Sequence, residues 1–258
     1  LRTYFNDSTE VDGGTTEITL GAAFKKANGP ALLAASKKLL NINKGLDKPD
    51  ERDSLIFKNI HSTDDLLNSY FDKQIPTIKK KLERTLSLKE QVREVVSPST
   101  FGEPIKRFFT VGDLSSTPPQ TNPVTMVAEW RKTTPMGTGG IQSSHAITAD
   151  TRDIQPTHLG FIDPLASPES LKVGVTVGLA SEVTKVGNDI TTLVLDTKGK
   201  LHNFNPLDFY NNKVGFPEQA EQTADGTLKP IDKIIKVMYK GEVKEVPATE
   251  VTYYLRSP

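Results

Sequence analysis

Residues 151–180 read T-R-D-I-Q-P-T-H-L-G-F-I-D-P-L-A-S-P-E-S-L-K-V-G-V-T-V-G-L-A. Three prolines and three glycines fall within this stretch. Pro156, Pro164 and Pro168 each fix their own φ and push the residue before them out of the helical region. Gly160 and Gly174 suit positions where a side chain would clash or where φ must turn positive. A segment of this kind is a rigid, shaped connector rather than an ordinary loop, and the rest of the chain has to fold around it.

Composition narrows the field. The chain has 258 residues, 36% hydrophobic and 25% charged, which suits a soluble globular protein of one large or two smaller domains. Formal net charge is zero, so no global basic field announces nucleic acid, although local basic sites stay open. With no cysteine there are no disulfides and no thiolate zinc sites. The four histidines, His61, His145, His158 and His202, have no metal-ligand spacing. No apolar run reaches the length of a membrane helix, and no signal peptide is visible. The sequence starts at Leu1 rather than Met, which suggests a fragment or a processed product.

The connector resembles a block of the β (second-largest) subunit of multisubunit DNA-dependent RNA polymerases, R-D-(V/I)-H-P-T-H-x-G-(R/K)-x-C-P-(I/V)-E-T-P-E-G-x-x-(I/V)-G-L. Arg152, Asp153, Ile154, Pro156, Thr157, His158 and Gly160 match, and Pro164, Ser167 (for Thr), Pro168, Glu169 and Gly174 follow in register. The departures are Gln155, Phe161 (for a basic residue), Asp163, Ala166 and Ser170. Upstream, Ile105, Lys106, Phe108 and Phe109 fit the family's (I/V)-(K/R)-x-F-F, followed by Leu114-Ser115 and Gln120-Thr121-Asn122-Pro123. Arg131-Lys132 and Gly137-Thr138-Gly139-Gly140 are similar to H-K-R-R-(I/L)-S-A-L-G-P-G-G-L. A looser order of matches, from Asp50-Glu51-Arg52-Asp53 through Asn59-Ile60, Asp65-Leu66-Leu67 and Phe71 to Leu82-Glu83-Arg84, precedes them.

In chain order, residues 18–24 fit either a short helix or a strand. Pro30 opens a helix with Leu32, Ala35, Leu39 and Leu40 on its apolar face, stopped at Asn43-Lys44-Gly45. Ser62 and Asp65 start a second helix, in which Leu67, Phe71, Ile75, Ile78, Leu82 and Leu86 recur at helical spacing. Pro76 should kink or break it. A further helix is expected from Ser87, using Leu88, Val92 and Val95. Residues 190–195 and 200–204 read as one hairpin, 234–239 and 242–246 as another, and 251–255 as a last strand. Residues 205–230 look loop-like. Leu171, Val173, Val175, Val177 and Leu179 alternate as in a strand, whereas the resemblance implies a helix there, and the helix is the expectation adopted.

The fold expectation is α+β, a mixed helical lobe/protrusion and fork region followed by a small β-rich external module. The division is 1–95 lobe/protrusion-like, 96–180 fork with the connector, and 181–258 β-rich. The resemblance implies nucleic-acid contacts at Gln120, Asn122, Arg131, Lys132, Glu169 and Lys172, and a fork loop at Gly137, Gly139, Gly140 and Gln142. The plain alternative for Arg131-Lys132 is a solvated pair, since adjacent cations cannot share one face of a helix or strand. Gly137-Thr138-Gly139-Gly140 lacks P-loop spacing. Pro156-Thr157-His158 has no G-x-S-x-G elbow, so His158 reads as a structural histidine rather than a catalytic base. Lys79-Lys80-Lys81 reads as a solvated helix face. The D-x-D-G-D motif that binds Mg²⁺ in the family's other large subunit is absent. The resemblance therefore implies no cofactor on this chain and Mg²⁺ held elsewhere in an assembly. It also implies, as partners, a β′-type subunit, the remaining part of β, DNA template, RNA product and NTPs, with no membrane. Cytoplasmic templated RNA synthesis is the implied function, with a non-catalytic nucleic-acid-binding or assembly scaffold as the alternative. The many departures suggest a divergent viral enzyme with a split β subunit, acting in host cytoplasm or virion.

Overall fold

The computed structural model describes residues 9–88, 96–112, 114–137 and 140–256. Two compact units emerge. The first takes the chain up to Asn59, then Gln155–Phe161, then Ala180 onward; the second takes Ile60–Ile154 and Ile162–Leu179. The class is α+β.

The first unit opens with two helices. Helix α1 (Gly13–Leu20) is capped by the Asp12 carboxylate, which accepts from the Thr15 N–H at 2.7 Å, and ends at Gly21 with φ +76°. So the first three residues of the helix-or-strand segment, 18–20, are helical. Helix α2 (Gly29–Asn43) starts where Asn28 caps Ala31 N–H at 3.0 Å and Pro30 supplies the preset φ. Gly45 (φ +71°) follows its end. Its expected apolar face is not covered: Ala31 is buried, while Leu32, Leu39 and Leu40 are exposed.

The second unit begins with the 24-residue helix α3 (Thr63–Leu86). Ser62 and Asp65 form the capping box: Asp65 accepts from the Ser62 N–H at 2.9 Å and from its hydroxyl at 3.0 Å. Of the kink or break expected at Pro76, the break does not occur, and the helix runs through it. Pro76 and Asp72 are both exposed, so water can satisfy the carbonyl that loses its intrahelical donor. Lys79, Lys80 and Lys81 are exposed on it. The helix expected from Ser87 falls mostly outside the described residues. Helix α4 (Ser99–Val111) meets α3 through Tyr70 and Phe108, whose ring centroids are 5.5 Å apart. Helix α5 (Pro123–Trp130), strand β1 (Lys132–Thr133) and the single-turn helix α6 (Ala149–Arg152) follow. Strands β2 (Ile162–Asp163) and β3 (Val177–Leu179) complete an antiparallel sheet of order β1-β3-β2.

The helix expected over 171–179 is absent. A single turn starts, with Thr176 N–H bonding the Lys172 carbonyl at 3.1 Å. Gly174 then enters the left-handed region (φ +68°), which stops propagation, and β3 takes over at Val177. The alternating pattern was right for the end of this segment and the implied helix was not.

The chain returns to the first unit with β4 (Thr184–Val186), β5 (Asp189–Asp196) and β6 (Leu201–Phe204). Asp196 closes the β5–β6 turn by accepting from the Lys198 and Lys200 N–H groups at 2.9 and 2.8 Å. Residues 205–230 are more ordered than their turn-rich composition suggests. Asn205 and Asp208 cap each other's N–H groups to start helix α7 (Pro206–Asn211), anchored by buried Phe209. Strands β7 (Val214–Gly215), β8 (Ala220–Gln222) and β9 (Leu228–Pro230) follow. The second hairpin joins β10 (Ile234–Tyr239) to β11 (Glu242–Pro247) through Lys240 and Gly241, both at positive φ. Last comes β12 (Tyr253–Leu255). The main sheet has order β11-β10-β7-β12-β5-β4, with β6 on β5. Ile235, Val237, Val251 and Tyr254 are buried in its core.

Residues 155–161 of the connector are built into this first unit; the change of unit before Ala180 falls at the expected boundary near 180, while the chain up to Asn59 joins the β-rich part rather than the helical one. Phe161, standing where the family has a basic residue, is fully buried with its ring 4.9 Å from that of Phe209. A Cβ on Gly160 (φ +82°) would lie 2.6 Å from Leu255 Cδ2. Thr157 Oγ1 accepts from the Leu55 N–H at 3.1 Å. His158 Nδ1 accepts from the Gln155 N–H at 3.2 Å. The ring is a structural histidine of the connector. Burial first, then the nearby Lys58 charge, pushes its pKa below the ordinary 6.5, against the opposing pull of the Asp53 backbone carbonyl and carboxylate.

This sets a pH dependence. With the folded pKa below the unfolded one, the unfolded chain binds the proton more readily. The stability from neutral His158 is complete above the unfolded value of about 6.5 and is lost as pH falls through the depressed folded value. Urea midpoints should drop between pH 7.5 and 5.5 (roughly one unit either side of that value), and His158→Gln should flatten this limb. An equally steep limb in the variant would assign the titration to another group.

Candidate nucleic-acid interface

Every described residue singled out above for nucleic-acid or fork-loop contact lies in the second unit. The site starts at α5. Asn122 caps this helix, its Oδ1 accepting from the Val124 N–H at 2.9 Å, so the side chain already has a structural task. Gln120, just upstream, is exposed. At the other end Trp130 is 71% exposed.

Arg131 follows as the C-cap of α5, and its carbonyl accepts from the Leu179 N–H at 2.8 Å. Lys132 opens β1 opposite Gly178 of β3. This pairing fixes the backbone of both cations against the strand that ends the connector. Arg131 is half-buried and Lys132 exposed, as adjacent cations on opposite faces must be. Lys132 Nζ is in an ion pair with Glu129. The residue three positions earlier on the chain thus offsets part of the local positive charge.

The glycine loop is held by its own backbone. Ile141 N–H bonds the Pro135 carbonyl at 2.9 Å, and Gly137 N–H bonds the Ile141 carbonyl at 3.2 Å. A Cβ on Gly140 would lie 2.3 Å from the Pro135 carbonyl oxygen, so only glycine closes this turn. Gly137 has φ +106° and packs on Leu114. Gln142 Nε2 donates to the Gly137 carbonyl at 3.3 Å, which ties this polar side chain back onto the proposed loop. Gly139, with Thr138, lies outside the described residues.

Glu169 and Lys172 are exposed on the turn between the last connector proline and β3. Ser167 Oγ accepts from the Gly174 N–H at 3.0 Å and Ser170 Oγ from the Lys172 N–H at 3.2 Å. The organiser of this region is Arg152. Its Nη1 donates to the carbonyls of Leu171 and Val173 at 2.9 and 3.2 Å, and its Nη2 to the Ser144 carbonyl at 3.1 Å. One guanidinium thus joins the end of the glycine loop to the Glu169–Lys172 turn. Gly174 lets this happen, since a Cβ there would sit 2.4 Å from the Arg152 carbonyl oxygen. Sequence reasoning placed Arg152 in the matching block without giving it a role. Its signal was an arginine upstream of a proline- and glycine-rich turn whose carbonyls have no strand partner.

Among the described residues no group of three or more His, Asp or Glu side chains converges as a metal site, and no helix is long and apolar enough to cross a membrane.

Residues 117–184 match the family described as RNA polymerase Rpb2, domain 3. Similar curated proteins carry the description DNA-directed RNA polymerase subunit beta. That of Kosmotoga olearia is 24% identical over 238 residues, covering 88% of this chain and 20% of the relative. That of Mesoplasma florum is 26% identical over 234 residues, covering 88% and 18%. That of Thermosipho melanesiensis is 30% identical over 205 residues, covering 75% and 17%. This is an RNA polymerase β-subunit-like chain. It spans about a fifth of the length of the curated relatives it matches. In this β-subunit-like chain the family match begins just before α5 and ends in β4. It therefore contains Gln120, Asn122, Arg131, Lys132, the glycine loop, Arg152, Glu169 and Lys172.

Arg152→Met keeps the aliphatic stem and removes the three hydrogen bonds. The second unit should lose about 1–3 kcal/mol in urea denaturation, the cost of orphaned acceptors that water partly rescues. Limited proteolysis at Leu171 and Lys172 should speed up, because the turn loses its clamp. Unchanged cleavage would show that the backbone of the turn holds itself.

Proposed function

We propose that this chain serves as part of a β-type subunit of DNA-directed RNA polymerase, in which the second unit supports the RNA–DNA hybrid and the fork of the transcription bubble. The observation that carries the reading is the coincidence of two spans. The family match over residues 117–184 is the same stretch in which Arg152 and the β1–β3 pairing tie the candidate side chains together.

The chemistry assigned to the chain is electrostatic positioning. Arg131 and Lys132 would neutralise phosphates without reading sequence. Lys172, on a turn held by Arg152, would do the same near the RNA end, and the glycine loop would present backbone to the downstream edge. Nucleotidyl transfer would belong to the assembly. There the Mg²⁺ ions, DNA template, RNA product and NTPs meet a β′-type subunit and the remaining part of β. Cytoplasm or virion is the proposed location, with a divided viral β subunit as the source of so divergent a chain.

One observation favours a second reading. The Glu129–Lys132 ion pair lowers the positive potential where phosphate would bind, which suits an assembly scaffold that has kept the polymerase framework.

A salt series separates the two. Removing a cation that neutralises one phosphate should reduce the slope of log affinity against log salt by roughly one unit. Stalled elongation complexes carrying Arg131→Ala should show that reduction with no change in sequence preference. Lys132→Ala should show the same reduction, and Glu129→Gln, which releases Lys132 from its ion pair, should steepen the slope. Parallel lines for all variants would favour the scaffold.

A further inference from the structure

Helix α3 carries a stripe that the proposed function leaves unused. Leu66, Tyr70 and Lys73 follow one another at steps of four and three along the helix, and Thr77, Lys80 and Arg84 continue the same line. Lys81 flanks it. The helix's nearby acids, Asp72 and Glu83, fall about a quarter-turn to one side.

The two halves of the stripe differ in chemistry. At the N-terminal half a cavity of about 240 Å³ opens between α3 and α4. Leu66 and Tyr70 line it from α3, Phe108 and Val111 from α4, and Leu114 from beyond α4. Lys73 and Arg107 complete the wall, and both are exposed. At the C-terminal half Lys80, Lys81 and Arg84 stand exposed along the helix beside Thr77 and Thr85. Among the described residues none of Lys73, Lys80, Lys81, Arg84 and Arg107 forms an ion pair. From Lys73 to Arg84 the cations run along about 16 Å of helix.

We propose that this face of α3 docks an acidic protein segment, with one apolar or aromatic side chain seated in the cavity and carboxylates laid along the lysines and arginine. Charge complementarity selects the acidic partner. The cavity selects a protein over a nucleic acid. Its wall is built from Leu66, Val111, Leu114 and two aromatic rings, a surface that takes an aliphatic or phenyl group whole. A base placed there would bury polar edges against carbon, at the cost of its hydrogen bonds to water. A phosphate backbone would use the cations and leave the cavity empty. An anchor filling a desolvated pocket beside a charged rim is the arrangement that gives a short segment both affinity and register.

The test uses the full chain and a fluorescein-labelled peptide with one phenylalanine followed by glutamates alternating with glycine. Anisotropy should report saturable binding that weakens with salt. Removing the phenylalanine from the peptide, Val111→Trp to cover the cavity, and Lys80→Glu with Arg84→Glu should each weaken it about tenfold. These side chains are exposed, and circular dichroism should show each variant folded. The absence of binding would overturn the proposal. So would an undiminished affinity in the Val111→Trp variant. A single-stranded oligonucleotide that binds the wild type more tightly than the peptide, with unchanged affinity for Val111→Trp, would overturn it in favour of a phosphate track.

Discussion

The candidate interface depends on the double engagement of Arg152 with the turn that follows the last connector proline. Its guanidinium takes the Leu171 and Val173 carbonyls, and its own carbonyl sits where a side chain at position 174 would have to go. Neither half works without the other. Glycine at 174 permits the backbones to approach, and the charged donor satisfies carbonyls that no strand partner reaches. The remaining donor reaches Ser144, so the glycine loop is referred to the same point. A single residue from a four-residue helix thereby sets the spacing of two chain segments far apart in sequence.

The departures from the polymerase block have physical meanings of different kinds. Phe161 stands where the polymerase block has a basic residue and is fully buried against Phe209, so in this chain the position belongs to the core. In the second unit, Glu129 brings a carboxylate to Lys132 and offsets part of its charge. Gln142 turns back onto the Gly137 carbonyl. These side chains are engaged in packing, ion pairing and internal hydrogen bonding, while Gly140, Gly160 and Gly174 stand where the polymerase blocks have glycine.

Much of the fold was legible because local chemistry and tertiary context agreed. Asn28 and Pro30 start α2, Ser62 and Asp65 start α3, and Lys240-Gly241 turns β10 into β11 as the residues themselves demand. The misses share a cause. Pro76 reads as a kink or a break of α3, and the helix stays unbroken there because both Pro76 and Asp72 face water, which sequence does not show. Residues 205–230 looked like loop because Asn205-Pro206 is a turn signal and a helix-start signal alike, and only the burial of Phe209 decides between them. The segment 171–179 was assigned a helix through resemblance, against its own alternation, and Gly174 stops that helix after one turn. Of the candidate interface, the residues were legible as a set and their geometry was not. The capping role of Asn122, the Glu129–Lys132 pair and the reach of Arg152 all depend on which side chains the backbone brings together.

In the proposed assembly the second unit of this chain lies along RNA. Site-specific photocrosslinking addresses it most directly. A benzophenone side chain placed at position 131 or 172 of the chain, within the native complex stalled on a labelled transcript, should crosslink to RNA. The same probe at Lys229, in the first unit's β9, serves as the reference and should not. RNA adducts from 131 and 172 alone are the predicted result. Adducts only to protein from those two positions, in complexes that still hold the transcript, would contradict the account.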